Sequence, residues 1–550
     1  MNQNLRLNFL GGVEEIGKNC LAIECGQDII VVDVGMTFPT DEMPGIDVVI
    51  PDTTFLRENK DRIRGIFLTH GHEDHIGGMP YLLEDVKVPV YGTKLTLTLL
   101  ENKLKEKNIK AQLKTVKAGS VIKAGCFSVE LIHVNHSIEG AVSLSITTPF
   151  GVIFHTGDFK IDYTPVDGVM TDLKRIAEIG KKGVLLLLAE STNIESPGYT
   201  MSEKTVGNTF DEIFGENIKK RIIIATFASN IHRVQQIIDT AIKYKRKVAF
   251  SGRSMLNIVD AARKIGALHV DDDIILDVEK LSNIQDKDLV IVSTGTQGEP
   301  MSALRRMAEG DFNKVKIGKN DTIVISATPI PGNEKMVYSV INKLYKLGAD
   351  VIYSRLRDVH VSGHACQEEL KLIHSLIKPK YFIPVHGEYR HLKKHKDLAI
   401  MLGMNPRDIM IPEIGDVIEV GKAIKRVGKV TAGAILVDGL GFGEMDSLLI
   451  KDRKHLSEDG VLILVAVVNA LSGELMGDVE IIPRGIAMTS QPDKFLEETK
   501  QNVTSYLKQV DLKSVEGRLN AKNTIKRQVR NQVQRKIKQS PMIIPIIMES

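Results

Sequence analysis

The sequence is poor in cysteine, lacks long hydrophobic runs and carries almost no excess charge. Its four cysteines show no CxxC spacing, which argues against a disulfide framework and a thiolate zinc site and agrees with a reducing cytoplasm. The longest apolar run, Val461 to Val468, is far shorter than the roughly 20 residues that span a bilayer. The first residues also lack the apolar core of a signal peptide. We therefore expect a cytoplasmic protein without a membrane partner.

The net charge and the length of the chain limit the kind of partner and the number of domains. The 72 basic and 69 acidic residues leave a net charge of +3, so an anionic partner would have to meet a local patch rather than a global field. The 550 residues, of which 43% are hydrophobic, predict a globular protein with several domains of about 100–200 residues each.

Hydrophobic patterning in the first part of the chain indicates a sheet-rich fold. Over residues 1–200, short apolar strands are separated by Gly, Asn and Asp, and several of them alternate with period two. Helical patterns are fewer, near 79–85, 94–108 and 169–180. This combination is typical of a layered α/β structure.

The rest of the chain divides into four further parts. From 201 to 358, strands alternate with amphipathic helices, which predicts an inserted, doubly wound α/β domain with a parallel sheet. Strand patterning resumes over 359–445, as expected for a second part of the first domain. A charged stretch at 446–460 is a predicted linker. Residues 461–550, with two strands followed by two helices, predict a small C-terminal α+β domain.

One short segment has the composition of a metal site. It is His70-Gly71-His72-Glu73-Asp74-His75, which follows an apolar strand. Burying three imidazoles and two carboxylates within six residues would be costly without a cation. These nitrogen and oxygen ligands suit Zn²⁺, and Mn²⁺ accepts the same groups. The alternative is a solvated loop that happens to contain histidines.

This HxHxDH pattern resembles the signature of the metallo-β-lactamase superfamily. The resemblance implies an αββα sandwich and two divalent metal ions, preferably Zn²⁺, with Mn²⁺ or Mg²⁺ as alternatives. It also implies ligands after later strands, in VNHSIEG, HTGDFK and PVHGEYRH. By this resemblance the ligands of one ion are His70, His72 and His136, those of the other are Asp74, His75 and His386, and the bridging ligand is Asp158. Asp33, in VVDVG, would orient the ligand loop without binding metal.

Residues 201–358 resemble the β-CASP domain of nucleic-acid-processing members of that superfamily. The resemblance implies two catalytic residues, Glu190 in LLLLAEST and His364 in HVSGHACQ, together with His386. A histidine at the position of His364 goes with members that act on RNA, whereas members that act in DNA repair carry an apolar residue. Glu190 departs from the Asp that is frequent in the family, which moves the carboxyl group by about one bond length.

Nearly the whole chain resembles the ribonuclease J family, through strings that include FLGGVEEIGKN, FPTDEMPGIDVVIPD, STGTQGEPMSAL and SPMIIPIIME. This resemblance implies 5′→3′ exoribonuclease and endoribonuclease activity on single-stranded RNA, preferably with a 5′-monophosphate, in RNA maturation and mRNA decay. It implies a homodimer or homotetramer, or a hetero-oligomer with a paralogue. The implied nucleotide contacts are Ser229, Asn230, Ile231, His360, Val361, Ser362, Gly363 and His364.

Other functions remain open at this point. A thioesterase or lactamase would keep the ligands but has no use for the long insertion, and a DNA nuclease disagrees with His364. A poorly catalytic RNA-binding partner subunit predicts lost ligands, and every ligand position is filled. Between Asn520 and Ser540 the chain has seven basic residues and no acid, which indicates either an RNA-facing helix or a solvated helix face.

Overall fold

A computed structural model describes residues 4–40, 42–299, 301–330, 333–439, 441–442, 447–486, 492–537 and 540–550. The chain forms two compact units, one of Met1–Thr37 with Ile50–Ala434 and the other of Phe38–Val49 with Ile435–Ser550. Residue 446, the first of the predicted linker, and Lys538 of the basic stretch lie outside the described residues.

Short strands dominate the first 200 residues, as their alternating hydrophobic pattern predicts. The elements are β1 Leu5–Gly11, β2 Cys20–Cys25, β3 Asp28–Val32, β4 Val48–Pro51, α1 Thr54–Glu58, β5 Ile63–Phe67, α2 Glu73–Ile76, α3 Met79–Leu82, β6 Pro89–Gly92, α4 Lys94–Glu106, β7 Gln112–Thr115, β8 Val121–Ala124, β9 Phe127–His133, β10 Val142–Thr148, β11 Gly151–His155, α5 Leu173–Lys182 and β12 Leu186–Glu190. Helix α5 starts later than the predicted residue 169, because the Asp172 side chain accepts the Arg175 N–H and caps the helix there.

The inserted part alternates strands and helices. Its elements are α6 Glu203–Glu216, β13 Arg221–Thr226, α7 Ile231–Lys243, β14 Lys247–Ser251, α8 Arg253–Ile265, β15 Ile275–Leu276, β16 Leu289–Ser293, α9 Ala303–Glu309, β17 Asp321–Ser326, α10 Glu334–Lys346 and β18 Asp350–Tyr353. The strands form one parallel sheet in the order β15-β14-β16-β13-β17-β18. This sheet is the doubly wound α/β insertion that the sequence predicts.

The elements after the insertion are α11 Gln367–Ile377, β19 Tyr381–Val385, α12 Tyr389–Met401, β20 Asp416–Val420 and β21 Ile424–Lys429. Their strands join those of the first 200 residues in two sheets. One sheet has the order β21-β20-β1-β2-β3-β5-β6-β7 and the other the order β19-β12-β11-β10-β9-β8. Residues from both sheets, such as Leu7, Ile23, Leu144 and Ile383, share one buried apolar cluster, so the sheets pack face to face.

Helices cover the outer faces of this sandwich. Side chains of α3 and α4 share a buried cluster with Ala22 and Val31, and side chains of α5, α11 and α12 share another with Leu187 and Phe382. The predicted αββα sandwich with an inserted, doubly wound α/β domain is confirmed. The loops that carry the polar motifs of the sequence follow strands of both sheets.

The second unit contains β22 Ala434–Asp438, β23 Gly441–Phe442, α13 Ser447–Asp459, β24 Val461–Val468, β25 Glu480–Arg484, α14 Pro492–Leu507, α15 Val515–Ile537 and β26 Met542–Glu549. Helix α13 occupies most of the predicted linker. The last sheet has the order β25-β24-β26, and β24 pairs with β26 in parallel over its full length. The sequence predicted only two strands here, so β26 is a missed element. The described part of the chain contains no helix with the length and apolar character needed to cross a membrane.

Candidate metal centre

The histidine-rich loop is held from behind by one carboxylate. Asp33 lies directly after β3, has a positive φ of 58° and is 1% exposed. Its two oxygens accept the backbone N–H of Thr69 at 2.8 Å and the Thr69 hydroxyl at 2.7 Å. The Asp33 carboxylate also lies 2.8 Å from Nδ1 of His75. This contact orients the His75 ring and directs its Nε2 to the side away from Asp33.

Three histidine rings converge on one point. Nδ1 of His72 lies 3.0 Å from Nε2 of His70 and 3.1 Å from Nε2 of His136. The opposite nitrogen of His136 donates to the Gly363 carbonyl at 2.7 Å, so its Nε2 carries a lone pair. Nitrogen lone pairs at these separations repel one another unless a proton or a cation lies between them. These three residues therefore form the first group that could hold a metal ion.

A second group lies next to the first and contains Asp74, His75, Asp158 and His386. Nε2 of His386 is 3.2 Å from Asp74 Oδ2 and 3.3 Å from Asp158 Oδ2. Nδ1 of His386 contacts the Thr192 hydroxyl at 2.9 Å. His386 follows β19 with a positive φ of 54°, which turns its ring away from the strand direction.

Asp158 occupies the centre of both groups. Its Oδ2 is 3.2 Å from Nε2 of His75, 3.6 Å from that of His70 and 3.9 Å from that of His136. This oxygen is buried and accepts no hydrogen bond within the described structure. A buried carboxylate oxygen without a donor is costly unless a cation compensates it. The donor set and its geometry thus fit divalent metal ions, as the sequence predicts.

The protonation of the rings differs between the two groups. Burial lowers the pKa of His72 to about 4 and holds the pKa values of His70 and His136 well below their usual range. In the second group burial also opposes the charged ring, but Asp158 and Asp74 outweigh it and raise the pKa of His386 to about 10. The first group therefore offers neutral ligands, and the carboxylates of the second demand positive charge.

Glu190 and His364 form a pair beside these groups. Oε2 of Glu190 lies 2.8 Å from Nδ1 of His364, and Oε1 of Glu190 accepts the Phe159 N–H at 3.0 Å. Burial lowers the pKa of His364, but the Glu190 carboxylate outweighs it and raises that pKa. Nδ1 of His364 is 3.9 Å from Asp158 Oδ2. The two predicted catalytic residues therefore share a proton at the edge of the two residue groups described above.

The predicted nucleotide contacts lie on two adjoining segments. Asn230 caps α7 and accepts the Arg233 N–H at 3.0 Å, and Ser229 precedes it, half-buried. The side chains of Ile231 and Val361 are buried, so these residues can offer only backbone groups to a ligand. The remaining predicted contacts are His360, Ser362, Gly363 and His364; the Ser362 hydroxyl accepts the His364 N–H at 3.1 Å.

Two residues near the site were not singled out from the sequence. Arg233 is fully buried, forms a bidentate ion pair with Glu203 at 2.7 and 3.0 Å, and donates to Nδ1 of His360 at 3.0 Å. Burial and this neighbouring guanidinium lower the pKa of His360 to about 3. The Asn19 amide lies 3.2 Å from Nε2 of His75 and donates to the Asp74 carbonyl. A lone Arg or Asn of this kind cannot be told from a surface residue before the fold is known.

Comparison with known families covers most of the chain. Residues 14–169 match the metallo-beta-lactamase superfamily, 219–344 the ribonuclease J beta-CASP domain, 350–412 the Zn-dependent metallo-hydrolase RNA specificity domain and 448–550 the ribonuclease J C-terminal domain.

Individual proteins are similar over the full length. The chain is 44% identical to ribonuclease J2 of Bacillus subtilis, with 100% of this chain and 99% of that protein covered. It is 40% identical to ribonuclease J of Thermus thermophilus, with 98% and 94% covered. A crystal structure of a protein of unknown function from Enterococcus faecalis superposes with a TM-score of 0.54 at 19% identity, covering 76% of this chain and 100% of the other, and this likeness concerns the fold alone.

Proposed function

Because the chain belongs to the ribonuclease J family and is thereby a metal-dependent ribonuclease, we propose that it removes nucleotides from RNA in the 5′→3′ direction and also cuts single-stranded RNA internally. The observation that carries this proposal is the arrangement of seven proposed ligand side chains in two adjoining groups, with Asp158 Oδ2 near histidines of both groups and the Glu190–His364 pair beside them. We further propose a cytoplasmic location, in agreement with four cysteines that are all free thiols.

The proposed metal content is two divalent ions, preferably Zn²⁺. One would be held by His70, His72 and His136, the other by Asp74, His75 and His386, with Asp158 shared between them. Two such ions make hydroxide available near neutral pH and neutralise charge on a phosphoryl group. Asp33 and Thr192 support this arrangement, because each contacts the Nδ1 of a ligand histidine and leaves its Nε2 directed at the centre.

The chain itself supplies the proton for the leaving group. When the phosphodiester bond breaks, the 3′-oxygen that leaves needs a proton. The hydrogen bond of 2.8 Å between Glu190 and His364 holds one proton between a carboxylate and an imidazole. We propose that this pair transfers that proton to the 3′-oxygen, and that Phe159, whose N–H binds the other Glu190 oxygen, fixes the carboxylate plane.

The nucleotide next to the metals would be bound by the two loop segments described above. The helix α7 N-terminus presents backbone N–H groups and a positive dipole end, which favour an anion. The loop at 360–364 is tied to the ligand set, because the Gly363 carbonyl accepts the His136 ring N–H at 2.7 Å. A terminal 5′-monophosphate seated there would place the first phosphodiester bond at the metals, which suits stepwise cleavage from the 5′ end.

We also consider the alternative of a poorly catalytic partner subunit in a hetero-oligomer with a paralogue. Such a subunit would have lost ligands or the proton-transfer pair. All seven ligand positions and the Glu190–His364 contact are present here, so we favour an active enzyme that assembles as a homodimer or homotetramer.

The test uses one internally labelled single-stranded RNA with either a 5′-monophosphate or a 5′-triphosphate. We expect purified protein with Mn²⁺ or Zn²⁺ to release mononucleotides faster from the monophosphate, and chelator to stop the reaction. Internal fragments from both RNAs at equal rates would overturn the 5′-end preference. Absence of cleavage in every metal condition would favour the partner-subunit alternative.

A further inference from the structure

Helix α15 carries a row of cations that the fold leaves exposed. Lys522, Lys526 and Arg530 follow one another at four-residue steps, about 6 Å apart along the axis, and Arg527 lies beside them. Lys526, Arg527 and Arg530 are exposed, and Lys522 is half-buried. We call these four residues the basic stripe.

The opposite face of α15 explains why the helix forms and why the stripe is exposed. Ala521, Ile525, Val529 and Val533 are at most 2% exposed and belong to the apolar core of the second unit. Their four-residue spacing turns the remaining positions to solvent. The packed face therefore needs none of the stripe residues, and their replacement should leave the core unchanged.

Two acidic side chains near α15 form ion pairs with cations outside the stripe. Glu549 binds Arg518 at 2.5 Å, and Glu498 binds Lys536. Arg518 and Lys536 are 18 residues, or five full turns, apart and so lie on the same side of the helix. Among the described residues, no acid lies within ion-pair distance of the stripe, and the sequence has no acid between Glu516 and Glu549. The positive charge of the stripe is therefore uncompensated by the protein.

From this arrangement we infer that the basic stripe binds the phosphate backbone of single-stranded RNA, as a second contact besides the metal centre. The inference rests on the proposed function for the choice of RNA. Four cations, three of them at regular spacing, suit a polyanion that is bound without regard to sequence. Exposed Asn523 and Gln534, on the same side, add hydrogen-bonding groups. From Ala521 to Val533 every apolar side chain is buried, so the stripe offers no apolar centre of the kind found in protein interfaces; exposed Val515 and Leu519 precede it.

The test compares two full-length triple variants that lose the same charge. The stripe variant is Lys526→Gln/Arg527→Gln/Arg530→Gln, and the control is Lys494→Gln/Lys508→Gln/Lys513→Gln, whose lysines are exposed on the same unit. Binding of a single-stranded RNA of about 40 nucleotides is measured in chelator over a range of salt. Cleavage of a 5′-monophosphorylated RNA of about five nucleotides is measured with Mn²⁺.

We expect the stripe variant to bind the long RNA about 10- to 100-fold more weakly at about 0.1 M salt, with a salt dependence shallower by about two units. The control variant should match the unmodified protein, and all three should cleave the short RNA at the same kcat/KM. Equal binding by the stripe variant, or an equal loss in both variants, would overturn the inference. So would unchanged RNA binding with loss of binding to polyglutamate, which would assign the stripe to an acidic protein. A short RNA that the unmodified protein fails to cleave would count against the proposed function instead.

Discussion

We propose that Asp33 acts on the metal centre through other residues. Its carboxylate joins the Thr69 backbone, the Thr69 hydroxyl and Nδ1 of His75, and so fixes both the loop path and one ring orientation. Partners of this kind are typically worth about 10- to 100-fold in metal affinity or activity. We expect Asp33→Asn to lower kcat by about that factor, with partial recovery at high metal concentration. The measurement is activity as a function of metal concentration. The control variant Asp85→Asn, at an exposed position, should give the same metal titration as the unmodified protein. A metal titration of the Asp33 variant identical to that of the unmodified protein would contradict the role.

The buried ion pair of Arg233 leads to a second prediction, which concerns the free energy of unfolding. The guanidinium is 0% exposed and its bidentate partner Glu203 is 7% exposed, so Arg233→Met would leave a buried carboxylate without its ion-pair partner. Loss of one partner of a buried ion pair costs about 3–5 kcal/mol. The double variant Arg233→Met/Glu203→Leu should recover most of that loss, because no charge remains buried. Urea unfolding gives the free energy of unfolding of both variants. An Arg233→Met variant whose free energy of unfolding lies within about 1 kcal/mol of that of the unmodified protein would count against a stabilising role of this ion pair.

At the scale of elements, α11 and α12 meet through two buried histidines. Nε2 of His374 lies 3.2 Å from Nε2 of His395, and the Ser191 hydroxyl contacts His395 at 2.9 Å. Burial lowers the pKa of His374 to about 4, and burial with the neighbouring His374 ring holds the pKa of His395 well below its usual value. Both rings are therefore neutral where the two helices pack.

This pair predicts a loss of stability in acid. The unfolded chain binds protons on these rings below about pH 6.5, but the folded chain does not until about pH 4, so stability falls as pH falls through that window. We expect His374→Phe to reduce the stability difference between about pH 7.5 and pH 5 by about 2 kcal/mol. Urea unfolding in chelator excludes metal loss, and His269→Gln, at an exposed position, is the control. An unaltered pH dependence in His374→Phe would refute the assignment.

Elements with a strong local pattern could be predicted, and those that depend on distant partners could not. The parallel strands and helices of the insertion follow from alternation of apolar strands and amphipathic helices. Strand β26 was missed because it pairs in parallel with β24, some 80 residues earlier in the chain, and its exposed and buried residues alternate only loosely. The Asp172 cap displaced the start of α5 by a few residues, which is a local effect that periodicity does not detect.

The same distinction holds within the site. The residues from 70 to 75 form a metal-binding pattern in the sequence itself, whereas His136, Asp158 and His386 could be assigned only through the family resemblance. The approach of Asp158 Oδ2 to both ligand groups depends on strands from two different sheets. Arg233 and Asn19 could be identified as neighbours of the site only from the structure, which places them beside the loop residues.

At the scale of the whole molecule, the two compact units have separate cores and differ in their relation to metal. All seven proposed ligand residues belong to the first unit, and the cluster that contains Leu462 and Val529 belongs to the second. An ion that binds only the folded state stabilises it by about 4 kcal/mol at about 1,000 times its Kd. We expect calorimetry to show that chelator lowers the unfolding temperature of one transition and leaves a second one unchanged. A chelator that shifts neither transition would contradict metal binding by the folded first unit.

We propose that RNA cleavage needs two ions held by the seven proposed ligand residues. The most direct measurement determines metal per chain and RNA cleavage in parallel for the unmodified protein, His72→Ala and the exposed-site control His269→Ala. We expect two ions and activity for the unmodified protein and the control. For His72→Ala we expect fewer bound ions and no cleavage, with an unchanged circular dichroism spectrum. Cleavage by His72→Ala at the rate of the unmodified protein would contradict this proposal.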